Sequence, residues 1–186
     1  MNRRQFLLTA AASATALRAS KQTPLEARLV PETEPGEPLA IAGRIFDSDG
    51  RTPLAGGQLY LYHTGRDGSY SKPVSDPHHP RIHAWIAADD QGRYAFRTIW
   101  PGKYYDRDAP RQIHVHLAAQ GMPEHWIDEF LFEGDPFIKR EDAAKNAGLG
   151  RLSSIVHLEK DASGVLRGVR DIVLERALVE RNRVTK

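Results

Sequence analysis

Apolar and polar residues alternate along many short stretches of this 186-residue chain. Alternation with a period of two is typical of strands that bury one face. The clearest example is the run of residues 113–117, in which three apolar residues alternate with two histidines. Successive strand side chains point to opposite faces, so we expect Ile113, Val115 and Leu117 on one face and His114 and His116 on the other.

Further short strands are predicted at fairly even spacing, with Gly, Pro and Asp in the turns between them. In the strand predicted over residues 57–63, Leu59 and Leu61 face one way, while Tyr60 and Tyr62 face the other. The other predicted strands cover residues 40–46, 82–87, 93–98, 153–158 and 169–174. Helix is limited to two short segments, around residues 123–130 and 140–147. The pattern predicts an all-β fold, an antiparallel β-sandwich with few short helices and long loops.

The first 20 residues have the pattern of a bacterial twin-arginine export signal. Arg3 and Arg4 precede an apolar run of small residues, 6–17. This run is too short to span a bilayer, which takes about 20 residues. We therefore expect residues 1–20 to be removed at an undefined cleavage site, and the mature protein to be periplasmic or secreted. The alternative is an amphipathic cytosolic N-terminal helix.

The rest of the chain is long enough for one domain with a real core. Residues 21–38 contain four prolines and several charges, so we expect an exposed arm with little regular structure. Residues 39–176 form the predicted sandwich, and residues 177–186 form a C-terminal tail. The sequence contains no internal repeat and no low-complexity tract.

Charge and cysteine content narrow the possible partners. The chain has 26 basic and 24 acidic residues; without Arg3, Arg4 and Arg18, 23 basic residues remain and the net charge is −1. No cluster of Lys and Arg interleaves with aromatic residues, so we expect no nucleic-acid partner. We also expect no membrane span in the mature chain. Cysteine is absent, so any metal site must use nitrogen and oxygen donors.

His114 and His116 are candidate metal ligands because they share one face of the same predicted strand. Their Cα atoms would lie roughly 6.5–7 Å apart, from the rise per residue of a strand. Neutral imidazoles at that spacing suit Zn, Cu, Fe or Ni. The alternative is a pair of histidines that simply face solvent.

Tyr70 and Tyr104 are candidate oxygen ligands. A phenol has a pKa of about 10, so only a strongly charged neighbour such as Fe(III) would ionise it near neutral pH. Two phenolates and one hydroxide would balance the three charges of a ferric ion. Arg111, three residues before His114, would stabilise negative charge on a bound substrate. The alternatives are that Tyr104 is a structural aromatic residue at the edge of the core, that Tyr70 is an ordinary loop residue, and that Arg111 is a surface residue.

Residues 89–104 together with residues 111–116 resemble the intradiol ring-cleavage dioxygenases, the non-haem Fe(III) enzymes that act on protocatechuate and catechol. Residues 41–57, 132–136 and 171–174 also resemble segments of this family. The resemblance extends over about residues 38–175. It implies O₂-dependent opening of a catechol-type ring between its two hydroxyl carbons, which yields a muconate-type dicarboxylate.

The resemblance also implies roles for single residues. Arg111 would lie beside the substrate, and Tyr104 would accept a proton from the diol. Tyr105 is the rival of Tyr104 if the register is shifted by one residue. The resemblance further implies a small-molecule diol and O₂ as partners, and a possible homo-oligomer. The implied ligands of the Fe(III) cofactor are Tyr70, Tyr104, His114 and His116.

The sequence departs from the family pattern at several positions near the predicted site. Gln112 replaces the usual proline between the arginine and the first histidine, and Asp128-Glu129 stand near the expected Thr-Gln pair. A tyrosine, Tyr60 or Tyr62, replaces the usual tryptophan of the second strand. An alternative function is therefore an exported, non-catalytic binding module for aromatics or sugars, in which Tyr60, Tyr62 and Trp85 form a stacking surface.

Overall fold

The computed structural model describes residues 26–73 and 75–174, which form two β-sheets packed around a common core. The first sheet contains β1 (Ala27–Arg28), β2 (Pro38–Phe46), β5 (Arg93–Ile99), β10 (Glu159–Lys160), β11 (Leu166–Val169) and β12 (Ile172–Val173). The second contains β3 (Gln58–His63), β4 (Ile82–Ala87), β6 (Gln112–Ala119), β7 (Met122–Trp126), β8 (Phe130–Phe132) and β9 (Ile155–Val156). One helix, α1 (Arg140–Asn146), and a 3₁₀ turn, Gly150–Leu152, precede β9.

The all-β sandwich predicted from the sequence is confirmed, although its sheets are mixed rather than purely antiparallel. The strand order is β1-β5-β2-β11-β10 in the first sheet and β4-β3-β6-β8-β9 in the second. The central pairs, β2 with β5 and β3 with β6, are antiparallel. Four other pairs are parallel: β1 with β5, β11 with β2, β12 with β2, and β8 with β9. Parallel pairing requires long connections rather than tight hairpins, and each of these pairs joins strands that are far apart in the chain.

The predicted alternation is present in the two central strands of the second sheet. Leu59 and Leu61 of β3 and Ile113, Val115 and Leu117 of β6 are fully buried in the core. On the opposite face the register pairs Tyr60 with His116 and Tyr62 with His114. The outer face of this sheet therefore carries two tyrosines and two histidines side by side.

Three predicted elements are wrong or incomplete, and one is confirmed. Residues 123–130 do not form a helix, because β7 turns back from β6 as a hairpin through Gly121, whose φ of 76° suits glycine. The strand predicted over residues 169–174 is broken at Arg170 and Asp171, where the Asp171 carboxylate accepts a hydrogen bond from the Arg44 backbone. The strand predicted over residues 153–158 is only two residues long. The helix predicted over residues 140–147 is confirmed.

Several predicted segments lie outside the described residues. These are the export signal at residues 1–20, the start of the N-terminal arm and the tail at residues 177–186. The described part of the arm is not entirely irregular, since β1 pairs with β5. Within residues 26–73 and 75–174, no helix has the length and apolar character needed to cross a bilayer.

Candidate metal centre

Three of the four predicted ligands meet at one point of the structure. The Tyr70 hydroxyl lies 2.6 Å from the Tyr104 hydroxyl and 2.7 Å from Nε2 of His114. The Tyr104 hydroxyl lies 3.4 Å from the same nitrogen. Both tyrosines are buried, whereas Tyr105 is 66% exposed. The structure therefore places Tyr104, rather than its neighbour Tyr105, in the cluster.

His116 lies beside this cluster on the same face of β6. Its ring centroid is 3.9 Å from that of Trp126 and 6.2 Å from that of Tyr62. Its Nε2 atom is buried and has no hydrogen-bond partner among the described residues. A buried nitrogen without a partner is costly, so this atom is available to a ligand that the polypeptide does not supply.

Two tightly packed loops bring the tyrosines together. Residues 64–70 follow β3, and residues 101–104 follow β5. The Thr64 hydroxyl donates to the Gly102 carbonyl at 3.0 Å, and the Gly102 amide donates to the Gly65 carbonyl at 3.1 Å. A Cβ atom at Gly68, whose φ is 76°, would collide with the Lys103 carbonyl. Only glycine permits the close approach of the two loops, and this approach places both hydroxyls at one point.

The donor set fits a hard, highly charged metal ion. Two phenol oxygens and one imidazole nitrogen converge, and the unpartnered nitrogen of His116 lies on the same face. No group of three His, Asp or Glu side chains suited to a metal occurs in the described part of the chain. A metal held here would therefore depend on tyrosine oxygens, and phenolates favour a trivalent ion over a divalent one.

Burial keeps these phenols protonated when no cation is present. It raises the pKa of Tyr62 to about 12 and that of Tyr70 further above its usual value. Burial also raises the pKa of Tyr104, although hydrogen bonds from Tyr70 and Gln112 lower it. A trivalent cation at the cluster would reverse this balance, because it stabilises the phenolate form directly.

The Arg111 side chain is paired with residues outside the cluster. Its Nη1 atom is 3.2 Å from the buried Asp135 carboxylate, and its guanidinium lies 4.7 Å above the Trp100 ring centroid. Within the described residues, no hydrogen bond joins Arg111 to the tyrosines or to His114. The role assigned to it by the resemblance stays a prediction, as do the ligand roles of the four side chains.

Three polar residues at the site were not predicted from the sequence. The Gln112 amide nitrogen lies 3.1 Å from both the Tyr104 hydroxyl and Nε2 of His114. Glu129 lies 3.6 Å from Nδ1 of His114, and Glu124 contacts Nδ1 of His116. Gln112 and Glu129 depart from the family pattern in the sequence. This departure marked their positions as unusual but did not reveal which residues they contact.

Aromatic side chains surround the histidines and continue across the outer face of the sheet. The Tyr62 ring stacks on His114 with centroids 4.6 Å apart. The Tyr60 ring is 5.2 Å from that of Trp85. Trp85 and Trp126 are 49% and 52% exposed. The candidate centre therefore opens onto an aromatic surface that solvent can reach.

A family model described as "Dioxygenase" matches residues 14–175. Chlorocatechol 1,2-dioxygenase of Pseudomonas sp. (strain P51) is 34% identical over 162 residues, which cover 78% of this chain and 62% of that protein. The protocatechuate 3,4-dioxygenase beta chain of Burkholderia cepacia is 28% identical over 75% of this chain and 65% of its own length. Catechol 1,2-dioxygenase 2 of Acinetobacter lwoffii is 29% identical over 60% of this chain and 46% of its own length. The chain thus spans between about half and two thirds of these relatives.

Solved structures agree on the fold. The dioxygenase domain of a dioxygenase–carbohydrate-binding protein fusion from Streptomyces sp. SirexAA-E has a TM-score of 0.62 at 24% identity, and the match covers 83% of this chain and 90% of that domain. Catechol 1,2-dioxygenase from Acinetobacter sp. ADP1 has a TM-score of 0.61 at 23% identity, over 80% of this chain and 56% of that structure.

Proposed function

This chain belongs to the intradiol ring-cleavage dioxygenase family, and from that premise we propose that it is an Fe(III) enzyme that cleaves a catechol-type ring between its two hydroxyl carbons. O₂ is the co-substrate, and a muconate-type dicarboxylate is the product. The observation that carries the proposal is the convergence of Tyr70, Tyr104 and His114 within hydrogen-bond distance.

Four side chains would hold the iron: Tyr70, Tyr104, His114 and His116. When bound, a ferric ion supplies Lewis acidity and a template that orients the two diol oxygens. The protein supplies two anionic oxygens that offset most of the ion's charge, which makes burial of the centre tolerable. It also supplies an imidazole that Tyr62 holds in place by stacking.

Tyr104 is the residue that we assign to proton transfer. Its hydroxyl oxygen already accepts a hydrogen bond from Gln112 at 3.1 Å and lies 2.6 Å from the Tyr70 oxygen. These contacts lower the pKa of Tyr104 and so oppose the effect of burial. Beside a bound ferric ion the oxygen would be a phenolate and could accept a proton from the diol. The Gln112 amide would keep the oxygen oriented while the proton moves.

The surroundings of the centre suit an aromatic substrate. Tyr62 and Trp126 pack near the two histidines, with ring centroids 6.2 Å apart. Planar side chains bind a planar ring through offset or edge contacts and add little polar competition.

The direct test is metal loading followed by spectroscopy and oxygen uptake. We expect one Fe(III) per chain, a burgundy colour from tyrosinate-to-iron charge transfer, and O₂ consumption when catechol is added. Tyr104→Phe should weaken or shift the visible band and reduce turnover, because a charged ligand is lost. Tyr62→Phe is the matched control, since that phenol stacks on His114 without joining the cluster.

A colourless protein that holds stoichiometric iron would refute the tyrosinate centre. A Tyr62→Phe variant that loses the band while Tyr104→Phe keeps it would refute the assignment of the ligand.

We also propose that the enzyme is exported through the twin-arginine route. The support is the Arg3-Arg4 pair followed by an apolar run. Fractionation of cells should place the wild-type protein outside the cytoplasm, and a variant with both arginines changed to lysine should accumulate inside. Equal distribution of the two proteins would refute the proposal.

A binding module for aromatics or sugars is the second candidate, and the contact between the exposed Trp85 and the partly buried Tyr60 favours it. Stacking platforms of this kind bind planar rings and sugar faces without catalysis. The two candidates differ in their need for metal. A binding module would bind its ligand equally with and without iron, whereas the enzyme would turn over only with iron.

A further inference from the structure

Each of the two strand histidines has a glutamate on the same ring nitrogen. Glu124 contacts Nδ1 of His116, and Glu129 Oε1 lies 3.6 Å from Nδ1 of His114. In both rings the other nitrogen, Nε2, has different surroundings. That of His114 meets the Tyr70 hydroxyl at 2.7 Å, and that of His116 is buried without a hydrogen-bond partner among the described residues.

This arrangement selects one tautomer of each ring. A carboxylate beside Nδ1 favours the form with the hydrogen on Nδ1, which leaves the Nε2 lone pair free to bind a metal. The Glu129 contact is too long for a hydrogen bond, and Nδ1 of His114 is buried without a hydrogen-bond partner among the described residues. A side-chain movement of about 0.5 Å would complete the contact and satisfy this nitrogen. The side chains of Glu124 and Glu129 are 44% and 38% exposed, so both have room to adjust.

We propose that Glu124 and Glu129 are positioning residues that hold the Nδ1 hydrogens of His116 and His114 and turn both Nε2 atoms toward the metal. For the identity of the metal this inference rests on the proposed function, but the tautomers themselves do not depend on it. Neither glutamate touches the metal; each acts through the imidazole that it orients. Carboxylates in this position also make imidazole a stronger electron donor.

The tautomers can be measured in the full-length protein without any metal, by ¹⁵N NMR of the histidine rings. We expect hydrogen on Nδ1 for both His114 and His116. Glu124→Ala should remove this preference at His116, and Glu129→Ala should remove it at His114. The corresponding glutamine variants should retain it, because the amide oxygen still accepts the hydrogen bond. Glu133→Ala is the matched control: Glu133 contacts Nδ1 of His157 in an exposed pair of the same kind.

Iron binding gives the second measurement. Glu124→Ala and Glu129→Ala should each weaken Fe(III) binding about 10–100-fold, the usual effect of losing such a partner. The charge-transfer band should move to longer wavelength, because the iron becomes poorer in electrons. Glu133→Ala should change neither the affinity nor the band.

Hydrogen on Nε2 in the wild-type protein, or unchanged tautomers in the alanine variants, would overturn the positioning role whether or not iron binds. Conversely, the expected tautomers in a protein that binds no iron would leave the positioning role standing and refute the proposed enzyme.

Discussion

Arg111 directly precedes β6, the strand that carries both histidines, but its side chain is bound to residues outside the tyrosine–histidine cluster. Its guanidinium contacts the Asp135 carboxylate and the Trp100 ring. The Asp135 side chain is 1% exposed, so the ion pair is anchored on a fixed partner. The spacing to His114 predicted that Arg111 is close to the centre but not the direction of its side chain.

The resemblance assigns Arg111 a place beside the substrate, although its side chain is paired with Asp135 and Trp100 in the structure. On that assignment we expect Arg111→Ala to keep iron and the visible band but to lower kcat/KM about 10²–10³-fold, the usual cost of losing one electrostatic contact in a transition state. Iron content, the absorption spectrum and oxygen uptake would be measured together. Arg28→Ala, which removes an exposed arginine paired with Glu32, is the control and should change none of them. Unchanged turnover in Arg111→Ala would refute its catalytic role.

At the scale of elements, the β-strands that carry the histidines were predictable, and the loops that carry the tyrosines were not. Alternating apolar residues placed His114 and His116 on one face of β6, as the burial pattern confirms. The hairpin of β7 was missed because Pro123 and the following residues gave no period-two pattern. Likewise, the loop–loop contact through Gly68 depends on residues distant in the chain, which no local pattern reveals.

Gly68 and Gly148 allow this loop contact to be tested. Their φ angles are 76° and 75°, but a Cβ atom at Gly68 would collide with the Lys103 backbone, whereas Gly148 has open space around it. Both alanine variants bear the cost of a left-handed alanine, about 1–2 kcal/mol. We expect Gly68→Ala to be destabilised further and to lose iron binding, and Gly148→Ala to bind iron normally. Urea unfolding and iron titration would measure this, and equal effects would refute it.

At the scale of the whole molecule, His63 links the two sheets. It ends β3, and its Nε2 atom lies 2.7 Å from the Thr98 hydroxyl on β5 of the other sheet. Its Nδ1 atom lies 2.8 Å from the Thr64 carbonyl. Burial lowers the pKa of His63 to about 4. The folded protein therefore keeps this ring neutral, because its buried position disfavours the charged imidazolium form.

The pH dependence follows from this shift. Above the pKa of histidine in the unfolded chain, about 6.5, His63 is neutral in both the folded and the unfolded protein, so it does not change the free energy of unfolding with pH. Between that value and about 4 only the unfolded state gains the proton, so the free energy of unfolding falls as the pH falls. The loss should total about 3 kcal/mol, at 1.36 kcal/mol per pKa unit. Urea unfolding from pH 7 to pH 4 should show it, and His63→Gln should flatten the curve. Equal slopes in both proteins would refute this role.

The sandwich as a whole was predictable because turn residues and period-two segments recur along the chain. The parallel pairings were not predictable, since they join strands distant in sequence, such as β11 and β2. The same reason explains why Glu124 and Glu129 were missed: their contacts depend on how β7 and the segment before β8 lie against β6. The pattern of apolar residues shows where a strand lies and which side chains share a face, but it does not show which strands pair with it.

The interlocked loops of Tyr70 and Tyr104 have a consequence for how a metal enters. Because residues 64–70 and 101–104 are fastened to each other, the two phenols behave as one bidentate chelator that is assembled before any ion arrives. Once the first oxygen is bound, the second binds at a very high effective concentration and loses little further conformational freedom. Metal uptake at the two oxygens should then occur as a single cooperative event, with no populated species that holds the ion by one phenol alone.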